Sequence, residues 1–240
     1  MAAYTVDTLF DPPLVLCQPE TGYRFSLDPV ILAGHILPEP GETVMDIGCG
    51  CGIISLILAS RHPGIRVIGI DIQKPLAHLA EKNTATNRLD ARVKIVHQDV
   101  RTLTRADIAL PIDRVVSNPP YGKTGAGRLS PDPGRALARH ELTLDIPALA
   151  AAADTFLSPG GHLHLILPAS RIQDLTPALK HRGFGVEWLR RIHFHPRGRA
   201  DRVILCAVKA VKASVCVCPP LYLYHADGTP TQEHQALLQW

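Results

Sequence analysis

From Thr43 to about residue 210 the chain alternates short, β-branched apolar runs with longer segments whose apolar residues recur at helical spacing. That beat restricts it to an α/β fold with a mostly parallel sheet. Thr43-Val44-Met45-Asp46-Ile47 reads as a first strand that runs into a glycine cluster, with a helix over 53–60 behind it. Residues 66–70 form a second strand, and 75–87 a helix with Pro75 in its first turn, where proline is tolerated, and Leu76, Leu79, Ala80 and Asn83 at helical spacing. Strands follow over 93–96 and 113–117, a helix over 146–157, a turn at Pro159-Gly160-Gly161 and a fifth strand over 162–167. A helix over 175–182 and an antiparallel pair over 192–194 and 203–208 complete the pattern. The opening, with Pro12-Pro13 and Pro19, reads as irregular, and 122–133, rich in Gly and Pro, as a loop directly after the fourth strand.

The chain has 240 residues, 46% hydrophobic and 20% charged, enough to bury a sizeable core and too apolar for disorder. No repeat or long Gly/Ser linker divides it, so it reads as a single domain: a cover over 1–42, a core over 43–212 and a tail over 213–240. No apolar run reaches membrane-spanning length, and the first residues lack the basic and hydrophobic regions of an export signal. The expectation is therefore a cytoplasmic protein without a membrane partner. Six cysteines, including Cys49-Gly50-Cys51 and Cys216-Val217-Cys218, lack zinc-ligand spacing and read as reduced thiols. His193 and His195 lack a third ligand nearby, so no metal is expected.

The formal charge of +3 is unevenly placed. Residues 180–212 hold nine Lys/Arg against Glu187 and Asp201, a net of +7 that leaves −4 for the remainder. Such a block is what an electrostatic footprint for phosphate looks like, and a solvated surface helix and strand would give the same count.

In an open α/β sheet ligands sit beyond the carboxyl ends of the strands, so residues ending the first four strands are the informative ones. The first ends in Asp46-Ile47-Gly48-Cys49-Gly50-Cys51-Gly52, where glycines let backbone approach a ligand and a helix N-terminus follows. The spacing is G-x-G-x-G, not the G-x-G-x-x-G of a dinucleotide site. The second ends in Asp71-Ile72, whose carboxylate can accept from two ribose hydroxyls, as an NAD site would also require. After the third comes Asp99-Val100, near where an adenine amino group would lie, though taken alone such an Asp is more often a helix cap or surface acid. The fourth ends in Asn118-Pro119-Pro120-Tyr121: two prolines hold the backbone extended, so that a carbonyl can face the cleft beside an amide oxygen and an aromatic ring.

These residues resemble the motifs of class I S-adenosylmethionine-dependent methyltransferases that act on planar nitrogen. Gly22 to Pro29, Arg139-His140-Glu141 and Leu221 to Thr229 further resemble the bacterial tRNA1(Val) adenine-37 N6-methyltransferase family, so that the similarity spans almost the whole chain. The resemblance implies a Rossmann-like, seven-stranded doubly wound sheet with an antiparallel C-terminal hairpin. It implies S-adenosylmethionine as cofactor, held by Asp46, Gly48, Gly50, Gly52, Asp71, Ile72, Asp99, Val100 and Asn118. Catalysis falls to Asn118, Pro119, Pro120 and Tyr121, the first two accepting both hydrogens of the target NH₂ and Tyr121 stacking on the base. Tyr121, Lys123, Arg139, Arg190, Arg191 and Arg197 are the candidates for binding tRNA. Asp28-Pro29 also fits a helix start, and Arg139 could clamp a phosphate or pair with Glu141. The tail departs from the family pattern at Pro230, where an aromatic residue is expected.

Asn-Pro-Pro-Tyr also serves enzymes that methylate glutamine in release factors, but these resembling proteins usually carry a helical domain before the glycine loop, and only 45 residues precede Asp46 here. DNA adenine methylation lacks room for a target-recognition domain. A non-catalytic RNA-binding module has no use for a nitrogen-activating tetrapeptide.

Overall fold

The computed structural model describes residues 3–21, 24–119 and 144–239. The chain opens on an antiparallel hairpin, β1 (Tyr4–Leu9) and β2 (Leu14–Pro19), followed by α1 (Leu27–Ala33), whose Ser26 cap accepts from Asp28 N–H. The α/β alternation then runs β3 (Thr43–Ile47), α2 (Ile53–Arg61), β4 (Arg66–Asp71), α3 (Lys74–Thr86), β5 (Val93–His97) and β6 (Ile112–Ser117). It continues with α4 (Ile146–Phe156), β7 (Leu157–Pro168), α5 (Ile172–His181), β8 (Phe184–His193), β9 (Arg202–Lys209), β10 (Cys216–Tyr222) and α6 (Gln232–Leu237).

The main sheet has the order β10-β8-β9-β7-β6-β3-β4-β5. Only β9 runs against its neighbours; every other pair is parallel. All parallel strands therefore end on one rim, and the segment between β8 and β9 lies on that rim too. The expected antiparallel hairpin is β8 with β9, but the sheet has eight strands rather than seven. The eighth, β10, comes from the tail. Pro219 and Pro220 disguise it in the sequence, because proline cannot donate to a ladder; at the edge, beside a register shift between Cys218 and Leu221, they are tolerated.

The opening segment also departs from the irregular reading. It pairs in full register, with Pro12 and Pro13 in its turn and Pro19 at the end of β2, opposite Tyr4. Two amides one helical turn apart, Asn83 in α3 and Asn87 at its C-cap, act on the hairpin's free edge: Asn83 accepts from Cys17 N–H (2.7 Å) and donates to the Cys17 and Cys51 carbonyls (both 2.9 Å), while Asn87 accepts from Val15 N–H and donates to its carbonyl. The expected turn at Pro159-Gly160-Gly161 is a bulge inside β7: Ile112 faces Leu157 and Arg114 already faces His162, with Gly160 at φ 82°.

β3 is buried at all five positions, as a central parallel strand must be. Its side chains alternate between two cores. Val44 packs with Ile31, Leu56, Ile57, Ile166 and Ile204 under α1 and α2; Met45 and Ile47 pack with Leu149, Phe156, Leu163 and Leu179 under α4 and α5. Each such side chain contributes roughly 1.5–3 kcal/mol of burial. The tail closes the first core with Leu221, Leu223 and Leu237.

Candidate active site

At the rim β3 gives way to a loop in which Gly48, Gly50 and Gly52 all have positive φ (73°, 59° and 88°). Gly48 N–H and Cys49 N–H both donate to the Ile70 carbonyl, folding the loop over the end of β4. Gly52 begins α2 where a Cβ would stand 3.2 Å from that of Ala80, so the site needs glycine both for its backbone angle and for the approach of α3. The Asp71 carboxylate joins the two loops: one oxygen accepts from Gly50 N–H and the other from Gln73 N–H, both at 2.8 Å. Burial pushes its pKa up, against these two hydrogen bonds.

A cavity with about 740 Å³ of empty space, partly open to solvent, occupies this end of the sheet. Its wall brings together Gly48, Gly50, Asp71, Ile72, Asp99, Val100, Asn118 and Pro119 from the loops after four different strands. Ser117 Oγ donates to the Ile47 carbonyl at 2.7 Å and so fixes the end of β6, with Asn118 next to it, against β3. Both oxygens of Asp99 are held by the Arg101 guanidinium at 2.6–2.9 Å, which keeps that carboxyl below its usual range and in the anionic form.

Asp46 stands apart from the wall. It is fully buried beneath the glycine loop, where Oδ2 accepts from Ser55 N–H and Oγ (3.2 and 2.7 Å), and burial raises its pKa to about 7. Oδ1 has no hydrogen-bond partner among the described residues. The Ser55 bonds tie the end of β3 to the first turn of α2. The wall also contains Gln73, Leu76, Gln98, Arg101 and Leu144, which strand-end reasoning passed over; Gln98 and Arg101 flank Asp99 and were reachable by proximity, whereas Leu144 is brought in by the tertiary fold alone.

Pro120, Tyr121, Lys123 and Arg139 lie outside the described residues, as do Gly22 and Tyr23. The basic block is dispersed. Arg190 is committed to the tail, donating to the Pro219 carbonyl (2.9 Å), His35 Nε2 (3.0 Å) and Glu233 (2.7 Å). Lys209 pairs with Asp154, and Arg202 with the buried Asp28 at 2.8 Å. Arg191 and Arg197 are exposed, the latter on the rim between β8 and β9. His193 and His195 stack on tyrosines. Among the described residues, His162, Glu187 and Cys206 gather ligand atoms within 4.8 Å of one another. They lie toward the amino end of the sheet, away from the cavity, and burial lifts the Cys206 thiol to about 12.

The family model described as "Methyltransferase small domain" matches residues 28–132, the stretch that contains the glycine loop, Asp71, Asp99 and Asn118-Pro119. A protein of Agrobacterium tumefaciens described as a predicted O-methyltransferase superposes with a TM-score of 0.71 over 88% of this chain and 94% of its own, at 21% identity, a likeness of fold. A tRNA1(Val) (adenine(37)-N6)-methyltransferase of Porphyromonas gingivalis is 36% identical over 158 residues, 63% of this chain and 61% of that protein. Another, from Aeromonas hydrophila subsp. hydrophila, is 35% identical over 207 residues, 86% of this chain and 84% of its own length. No helix among the described residues is long and apolar enough to cross a membrane. With one relative matched along nearly its whole length and the glycine loop, Asp71 and Asn118-Pro119 on a single cavity, the chain belongs to the tRNA1(Val) (adenine(37)-N6)-methyltransferase family.

Proposed function

We propose that the protein methylates N6 of adenine in tRNA, at position 37 of tRNA1(Val), using S-adenosylmethionine, in the cytoplasm, and that cover, core and tail work as one domain. The observation that carries the reading is that Asn118 and Pro119 share a cavity wall with Asp71 and the glycine loop. Nitrogen-binding and cofactor-binding groups can then face one another across one cavity.

The residues fit the cofactor. Asp71 offers a carboxylate at the wall for ribose hydroxyls, Ile72, Leu76 and Val100 offer an apolar slot for a purine, and at Gly48 a Cβ would meet nothing within 4 Å, so the backbone is open to a ligand there. Bound S-adenosylmethionine supplies a methyl group already activated by the sulfonium charge. The chain's task is therefore alignment. The Asn118 side-chain oxygen and the Pro119 carbonyl accept from the two hydrogens of the target NH₂, drawing its lone pair out of conjugation and stabilising the positive charge that develops on nitrogen. By resemblance Tyr121 stacks on the base and offers its π face to the same charge. The adenine must leave its stack to reach Asn118, which favours a loop base.

The test is to incubate the purified protein with labelled S-adenosylmethionine and total tRNA from cells lacking it, then digest and identify the product. Label in N6-methyladenosine is expected. Label in methyl-glutamine of a release factor, with none in tRNA, would overturn the reading in favour of protein methylation, and no transfer at all would favour a binding module.

A further inference from the structure

Beyond the cavity, the same rim carries a second constructed surface. β8 and β10 end on it side by side, with Tyr222 in register with His193 and their rings stacked, centroids 4.9 Å apart and planes at 29°. Two residues further along both segments, His195 stacks on Tyr224 at 5.9 Å and 30°. The tail contacts both tyrosines: His234 meets the Tyr224 ring edge-on at 5.0 Å, and Thr231 Oγ1 donates to the Tyr222 backbone carbonyl at 2.6 Å. Tyr222 nonetheless remains 37% exposed, and His195 is exposed.

Three exposed cations lie within four residues of His193 or His195 along the chain. Arg197 and Arg199 are exposed in the segment joining β8 to β9, and Arg191, also exposed, shares the side of β8 that carries His193. None of the three forms an ion pair among the described residues, unlike Arg190, Arg202 and Lys209 of the same block. The one acid of that segment, Asp201, is engaged with Phe194 N–H.

Stacked aromatic faces beside unpaired arginines are the chemistry that holds single-stranded nucleic acid: rings take bases of any sequence and guanidinium groups take phosphates. Position chooses which part of the strand. β8 stands three strand places from β6, about 14 Å, and β10 about 19 Å, at the usual spacing. That is too far for the base held by Asn118 and within a few nucleotides of it along an extended strand. We propose that the ends of β8 and β10, with Tyr222 and His195 as stacking faces backed by His193 and Tyr224, and Arg191, Arg197 and Arg199 as phosphate contacts, form a docking surface for the unpaired RNA that flanks the target adenine. This rests on the tRNA reading above and adds a site to it.

The test uses the full-length protein and an anticodon stem-loop RNA with 2-aminopurine one to three nucleotides from the target. Stacking on the rim should quench the fluorophore at one of these positions. Tyr222→Ala should remove that quenching and raise KM for the RNA about tenfold with kcat and cofactor affinity near wild type, while Tyr222→Phe, which keeps the ring, should restore both. Arg197→Ala with Arg199→Ala, in an exposed segment where folding is not at risk, should weaken binding and lower the salt slope by about one to two. Unchanged quenching, KM and salt slope in these variants would overturn the proposal. Variant-sensitive quenching without any methyl transfer by the wild type would uphold the docking surface and instead defeat the assigned reaction.

Discussion

Asp71 does two things with one carboxylate. It spans Gly50 N–H and Gln73 N–H, and so holds the loops after β3 and β4 in their relative positions while facing the cavity. Asp71→Ala should therefore weaken S-adenosylmethionine binding by about 10- to 100-fold, measured by isothermal titration, since it removes a ligand acceptor and frees two backbone donors at once. Under the proposed reaction Asn118 differs, because there its contacts would matter as charge develops on nitrogen. Asn118→Ala should abolish most methyl transfer and leave cofactor affinity nearly unchanged; equal loss in both measurements would show that it serves binding alone. The place of both residues on the cavity wall is legible in the sequence, because a strand end followed by a turn is a local pattern. The strand-end pattern does not show that Asp46 is wholly buried and bonded to Ser55 nine residues later, because no local spacing records how deeply β3 is buried.

At the scale of elements, β8 shows how a charge count goes astray. Arg190 and Arg191 are adjacent, and as +1 each they look equivalent in a basic block. On a strand neighbours face opposite sides, and the fold puts Arg190 under the tail and leaves Arg191 in water. Arg190→Ala should accordingly lower stability by about 1–3 kcal/mol, by unhooking α6 from α1 and β10, and leave the salt dependence of RNA binding as in wild type. Thermal melts and a salt titration on one preparation check both halves. The alternating core from β3 to β7 was legible because each element announces its own period. β10 was not, because its prolines read as a break until the edge position makes them harmless; nor was the hairpin, whose pairing is completed by side chains from a helix more than sixty residues away.

For the molecule as a whole, two buried ionisable groups make stability depend on pH in opposite senses. His164 is wholly buried, and burial, with the Arg114 guanidinium adding to it, lowers its pKa from 6.5 to about 3. The unfolded chain takes up that proton near 6.5 and the folded chain does not, so this contribution is fully present above 6.5 and is lost as the pH falls toward 3. Asp46, with a folded pKa near 7 against 3.8 unfolded, contributes stability at low pH that is lost as the pH rises through 7. His164→Gln keeps an acceptor for Arg114 and removes the titration. Its Tm should fall less than that of wild type between about pH 7 and pH 5, and an equal fall would mean that the imidazole is already charged in the folded protein.

The amides of Asn83 and Asn87 do more than finish a ribbon. Because Asn83 holds the Cys17 carbonyl and amide and the Cys51 carbonyl with one side chain, the N-terminal hairpin and the glycine loop are mechanically one piece. Anything that stiffens the loop should stiffen the hairpin. The exchange of the Val15 and Cys17 amides with deuterium is thus a remote gauge of cavity occupancy: it should slow when S-adenosylmethionine binds and lose that response in Asn83→Ala.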